Sequence, residues 1–204
     1  MDILAALSRT IPFAFTSGIN LYATVAVLGL CSRYQLVTLP EQFRSFGHPA
    51  VIGIALTMYA IEFVADKVPW LDSIWDAVHT VIRPIGGALV AVTLLGGASV
   101  EMQTAVALLA GSVAAATHVT KSGTRAVVNT SPEPFSNWFL SLAEDIFVVG
   151  FSYVALQHPI AALAVATGLL VVIAAFASVL IRALRRRFRR QAVIDGDEVT
   201  SKRL

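Results

Sequence analysis

The chain has 204 residues, 56% of them hydrophobic and only 14% charged, with a mean hydropathy of +0.74. Soluble domains carry roughly 25% charged residues, and a chain of this size cannot hide so much apolar surface in one core, so the outer faces of its helices must meet lipid. The net charge of +2 does not point to nucleic acid, because six basic residues crowd into Arg182 to Arg190 directly behind an apolar run, as a cytoplasmic anchor on anionic lipid would.

Apolar runs bounded by proline, glycine and charge predict helices at 11–32, 49–66, 84–98, 102–120, 135–156 and 159–182. The expected fold is all-α, a polytopic transmembrane bundle of about six spans. The run at 84–98 is shorter than the roughly 20 residues that cross a bilayer. No basic region precedes the first run, and Thr16, Ser17, Gly18 and Asn20 interrupt it, so it is expected to stay as a span rather than be cleaved. The single cysteine, Cys31, excludes an internal disulfide and reads as a small buried hydrophobe.

An even span count puts both termini on one side, and the arginine run assigns that side to the cytoplasm. In this topology all of the fifteen Lys and Arg except Arg33 and Arg44 fall inside. Residues 1–190 are expected to form a single membrane domain. Residues 191–204 lack periodicity and carry mixed charge, which reads as a flexible cytoplasmic tail.

Displacing the sequence by 50 residues aligns two stretches, 50–99 and 100–149, with one plan: an apolar helix, a polar connector, a proline break and another apolar helix. The plan suggests a parallel two-fold repeat with proline-broken or re-entrant segments. The breaks are Arg83-Pro84-Ile85-Gly86-Gly87 and the run from Ser131 through Pro132 and Pro134 to Ser136-Asn137. Backbone released there would have to be buried in protein or line a wet cavity.

The first connector is acidic. Glu62, Asp66, Asp72 and Asp76 supply hard oxygen ligands suited to a divalent cation, and Asp72, Asp76, His79 and Arg83 share a face if helical. The second connector is basic, with His118, Lys121 and Arg125. Two readings of these halves stand side by side: ion pairs that join helices, or groups held apart to bind a cation or an anionic head group.

Glu144 and Asp145 lie about 15 Å into the predicted helix at 135–156, where each charge costs about 2.5 to 3.5 kcal/mol and needs a partner or a proton. Adjacent residues differ by about 100° around a helix, so one acid can pair structurally while the other serves a substrate. Asn20 sits at a similar depth in the first span and is either a packing link or part of a polar path. Together with Ser136, Asn137, Arg83, His118, Lys121 and Arg125, these residues form the candidate substrate path. There is no Walker loop, HExxH or GxSxG, and no catalytic residue is assigned.

The stretches Ser17-Gly18-Ile19-Asn20-Leu21-Tyr22, AIEFVADKVPWLDSIWDAVHTVIRPIGGAL at 60–89, HVTKSGTRAVVNTSPEPFSN at 118–137 and SLAED at 141–145 resemble the DUF4126 family of bacterial membrane proteins. The resemblance implies a multi-pass protein of the bacterial inner membrane. It carries no activity, ligand or catalytic residue, since the family's function is uncharacterised. The residues favour a small transporter or channel for an ion, a charged small molecule or a lipid head group, open to proton coupling. A metal-dependent membrane enzyme and a non-catalytic assembly protein are the alternatives. The expected partners are the bilayer and, through Ala- and Gly-rich helices, a second copy.

Overall fold

The computed structural model describes residues 2–130 and 135–201, with side chains described through 182 apart from that of residue 180. The helices are α1 (Ile3–Arg33), α2 (Pro49–Ala65), α3 (Pro69–Leu95), α4 (Val100–Val128), α5 (Phe135–Gln157) and α6 (Pro159–Ser201), and a 3-10 segment, Glu41–Gly47, precedes α2. Among the described residues there is no strand. Five helices are long and apolar enough to cross a membrane, the last over Pro159–Val179, and six if the 3-10 segment and α2 form one bent span. The chain divides into two compact units, 1–167 and 168–204.

Within the first unit α1 is the axis. Of its most apolar 18-residue window 72% is buried, against 39% for α3, 33% for α4 and 28% for α5. The others therefore form a shell, with one face on α1 and one bearing exposed residues such as Ile85, Leu89, Leu108 and Ile146. Small residues let the helices close on the axis and on one another: a Cβ on Gly18 of α1 would collide with the Ala114 carbonyl of α4, and one on Gly87 of α3 would stand 2.7 Å from the Ala114 Cβ. Phe13, Leu28, Phe43, Phe46 and Leu94 fill the core at one end.

Two expectations change. The helix predicted at 84–98 is the second half of α3, which begins at Pro69 and runs through Pro84 without a break. Proline inside a span removes one backbone hydrogen bond, which neighbouring helices and polar groups can compensate. Gly86 and Gly87 serve packing there, against Leu21 and Ala114. The stretches read as polar connectors are consequently helical faces within spans: Asp72, Asp76, His79 and Arg83 are buried on α3, and His118, Lys121 and Arg125 on α4. Those cations therefore do not count as loop charge.

The structure does not show the 50-residue repeat, since α2 has 17 residues and its counterpart α4 has 29. The second proline break, at Ser131, Pro132, Glu133 and Pro134, lies outside the described residues, as do residues 202–204 and the side chains of the rest of the tail expected at 191–204.

Candidate functional site

The site is built around a break in the axial helix. Asn20 has φ −148° and ψ 100°, an extended conformation that divides α1 into two half-helices. Each half-helix end finds partners. On the C-terminal side the freed carbonyl of Gly18 accepts from Arg83 Nη1 at 3.3 Å, and that of Ile19 accepts from Lys121 Nζ at 3.1 Å. Two cations thus meet the negative end of the first half-helix. On the other side Asn20 Oδ1 accepts from the Ala23 amide at 2.9 Å, an N-cap for the second half-helix, and Asn20 Nδ2 donates to Asp145 Oδ1 at 3.1 Å. Asp145 is thereby held one hydrogen bond from a positive helix end.

Around the break, charges from four helices converge. Arg83 Nη2 donates to Glu62 Oε1 at 2.7 Å, and its Nη1 forms a looser ion pair with Asp76 at 3.5 Å. Lys121 Nζ lies 3.4 Å from Glu62, 3.3 Å from Asp66 and 3.7 Å from Glu144. Arg125 binds Asp66 at 2.9 Å and Glu144 at 2.8 Å, while its Nη1 donates to Asn137 Oδ1 at 2.7 Å. Asn137 Nδ2 donates in turn to the Asp66 carbonyl at the C-cap of α2.

Hydrogen bonding also fixes the histidine tautomers. An arginine can only donate, so His118 Nδ1, 2.7 Å from Arg83 Nη1, is unprotonated; its Nε2 carries the proton and donates to the Asp76 carbonyl at 3.1 Å. His79 has the opposite arrangement. Its Nδ1 donates to the Trp75 carbonyl at 2.7 Å and its Nε2 is hydrogen-bonded to the Tyr22 hydroxyl at 3.0 Å. His118 is therefore a neutral link between helices, and His79 ties α3 to Tyr22 of α1.

The charges do not balance. Three buried cations (Arg83, Lys121, Arg125), with the half-buried Lys67 nearby, face six carboxylates (Glu62, Asp66, Asp72, Asp76, Glu144, Asp145) among the described residues. Asp72 and Asp145 have no cationic partner there, each accepting from one asparagine: Asp72 from Asn129 Nδ2 at 2.7 Å, Asp145 from Asn20. One carboxylate oxygen of each of Glu62, Asp66, Asp72, Asp76 and Asp145 is buried without a hydrogen-bond partner among the described residues. Asp76 Oδ1 is within ion-pair reach of Arg83 but outside hydrogen-bond geometry, so the two observations agree on a weak contact. Excess buried carboxylate of this kind calls for protons or a bound cation.

Residues 7–179 match the family described as Domain of unknown function (DUF4126). The chain belongs to the DUF4126 family. No curated protein sequence and no solved structure matches it.

Most of the candidate path in this DUF4126 protein is thus gathered in one place. Asn20, Arg83, His118, Lys121, Arg125, Asn137, Glu144 and Asp145 share the network. Ser136 does not join it, and its buried hydroxyl finds no partner among the described residues. The four acids proposed as metal ligands are not gathered: Glu62 and Asp66 are taken up by cations, and among the described residues no group of three or more His, Cys, Asp or Glu could hold a metal ion. Glu144 and Asp145 turn to different partners, as their 100° separation requires. The backbone break at Asn20 and the roles of Tyr22, His79 and Asn129 were not read from sequence. A glycine followed two residues later by a capping asparagine inside an apolar span was the available signal for the break.

Proposed function

We propose that this protein is a small membrane transporter for a charged small solute or lipid head group, with proton coupling through Asp145. The observation that carries this reading is the broken axial helix. Discontinuous spans place half-helix ends, freed carbonyls and a buried acid at the site where many transporters bind substrate near the bilayer middle. Asp145, without a cationic partner among the described residues, is the group best placed to gain and lose a proton as the site changes occupancy.

Flux across proteoliposomes, driven by an imposed pH gradient, tests it. Purified protein dissipates the gradient when substrate is added, and Asp145→Asn abolishes that dissipation. Gradient-driven flux that persists in Asp145→Asn removes the coupling, and no flux for any charged solute offered removes the transporter.

In the same reading α2 and the 3-10 segment make the sixth span. Both termini then lie on the cytoplasmic side of a bacterial inner membrane, with Lys67 and the arginine run that follows the apolar part of α6 supplying the inside charge. Reporter fusions at the two ends should report the same side. Exposed apolar residues such as Val171 and Phe176 of α6 are available to lipid or to a second copy.

A non-catalytic assembly role is the second reading. Its support is that Glu62, Asp66 and Glu144 are held by cations from other helices, as in a network that only joins helices.

A further inference from the structure

Between the first half of α3 and the last turns of α4 lies a cleft of about 250 Å³ that the network around Asn20 leaves unused. Asp72, Asp76, Thr80, Ser122, Arg125 and Asn129 line it. Asp72 is 0% and Asp76 5% exposed, yet each keeps its Oδ1 without a hydrogen-bond partner among the described residues, and so does Asn129. The Asn129 orientation is set by its neighbour: Nδ2 donates to Asp72 Oδ2 at 2.7 Å, which leaves Oδ1 as an acceptor with nothing to accept from.

Arg125, the one cation lining the cleft among the described residues, has its guanidinium committed to Asp66, Glu144 and Asn137, and Asp76 has only the 3.5 Å pair with Arg83. The remaining lining polar groups are hydroxyls and an amide. The cleft therefore carries negative charge and surplus acceptors.

Two vacant acceptors, Asp72 Oδ1 and Asn129 Oδ1, together with Asp76 Oδ1, held only by the loose 3.5 Å pair with Arg83, match the three N–H donors of a primary ammonium. A metal ion fits less well, since no group of three or more metal-ligating side chains converges among the described residues and the volume far exceeds a bare ion. The volume accommodates a substituent on the nitrogen, against the exposed Ala77 and Ala126.

Depth points the same way. Asp72 lies in the first turn of α3, and Asn129 is the C-cap of α4. Trp70, 67% exposed, and Trp138, whose indole donates to the Lys67 carbonyl, mark that end as the level of the head groups.

We propose that the cleft between α3 and α4 binds a primary ammonium group, R–NH3⁺, through Asp72, Asp76 and Asn129. This names the substrate class for the transporter reading and rests on it only for the consequence of binding, not for binding itself. The ammonium belongs either to a free amine or to the head group of an aminophospholipid.

Calorimetric titration of the full-length protein in micelles with ethanolamine, and with choline as its quaternary counterpart lacking N–H donors, tests the chemistry. Ethanolamine should bind saturably and choline should not. Asp72→Asn should weaken binding by about tenfold or more, the scale of losing one charge-assisted partner. Ala126→Leu, which fills the cleft without touching a buried charge, should weaken it comparably and guards against a folding defect in Asp72→Asn.

Thermal unfolding in vesicles of phosphatidylcholine, with and without phosphatidylethanolamine, separates the sources. Stabilisation by the ethanolamine lipid that Ala126→Leu removes assigns the site to a head group, and ethanolamine binding without it assigns the site to a free amine. Equal binding of choline, displacement of ethanolamine by low MgCl2, undiminished affinity in both variants, or no binding of ethanolamine in either form overturns the proposal. Amine binding without flux in proteoliposomes would leave the site standing and remove only the transporter.

Discussion

Asn20 donates its side-chain amide to Asp145 across 3.1 Å, while its own oxygen caps the half-helix that starts beside it. One residue thus ties the break in the axial helix to the middle of α5. Asn20→Ala removes both bonds, and Asn20→Ser keeps a capping oxygen but loses the donor to Asp145. Melting temperatures in detergent should fall in the order wild type, Ser, Ala, with the cap alone worth about 0.5–2 kcal/mol. Equal melting temperatures for Ser and Ala would mean the cap contributes nothing.

Arg125 joins Asp66 and Glu144, all three buried or nearly so. Arg125→Met leaves two carboxylates without this partner and should destabilise by about 3–5 kcal/mol. Glu144→Gln in the same chain should recover part of that loss, because one of the two stranded charges is gone. The coupling energy of the double-mutant cycle, measured by denaturant titration, is the readout, and a value near zero would count against a direct pair.

Gly18 approaches α4 so closely that a Cβ would sit 2.7 Å from Thr117 Cβ and 3.0 Å from Ala114 Cα, besides its collision with the Ala114 carbonyl. Backbone cannot yield as a side-chain tip can. Gly18→Ala should cost about 1–3 kcal/mol. Gly53→Ala on α2, with nothing within 4 Å, should instead stabilise by up to about 1 kcal/mol through helix propensity. Thermal unfolding of the two variants side by side should give shifts of opposite sign.

Lys67, in the short link between α2 and α3, sits 3.1 Å over the Phe63 ring and donates to the Phe63 carbonyl at 2.9 Å. Burial holds its amine below the usual lysine value of 10.5 despite the opposing pull of nearby Asp145 and Asp66. The folded state therefore sheds this proton before the unfolded state does. The Lys67 contribution to stability rises as pH climbs from the folded value towards 10.5 and is constant below that window. Acylation of Lys67, followed by peptide mass spectrometry against pH, should show a midpoint below 10.5. A midpoint at or above 10.5 would contradict the assigned cause.

The membrane class, the helix starts at 49 and 159 and the chemical identity of the charged network were legible in the sequence, because lipid exposure and charge are properties of composition and short-range pattern. Pro84 misled because a local rule, that proline ends helices, competes with a tertiary one: α3 gains more from burying Gly87 against Ala114 and Arg83 against Glu62 than it loses in one backbone bond. Asp72 and Asp76 could be placed on one face by spacing, but spacing could not say that Asn129 would meet Asp72 or that Arg125 would turn away from the cleft.

By itself the sequence determined that this is a polytopic α-helical membrane protein of the DUF4126 family with acids and bases it would have to pair. Only the tertiary structure decided which pairs form, because buried ion pairs depend on ångström-scale approach between helices far apart in the chain. It also decided that the axial helix breaks at Asn20. That break holds because Arg83, Lys121 and Asp145, contributed by three other helices, satisfy the polar groups around it.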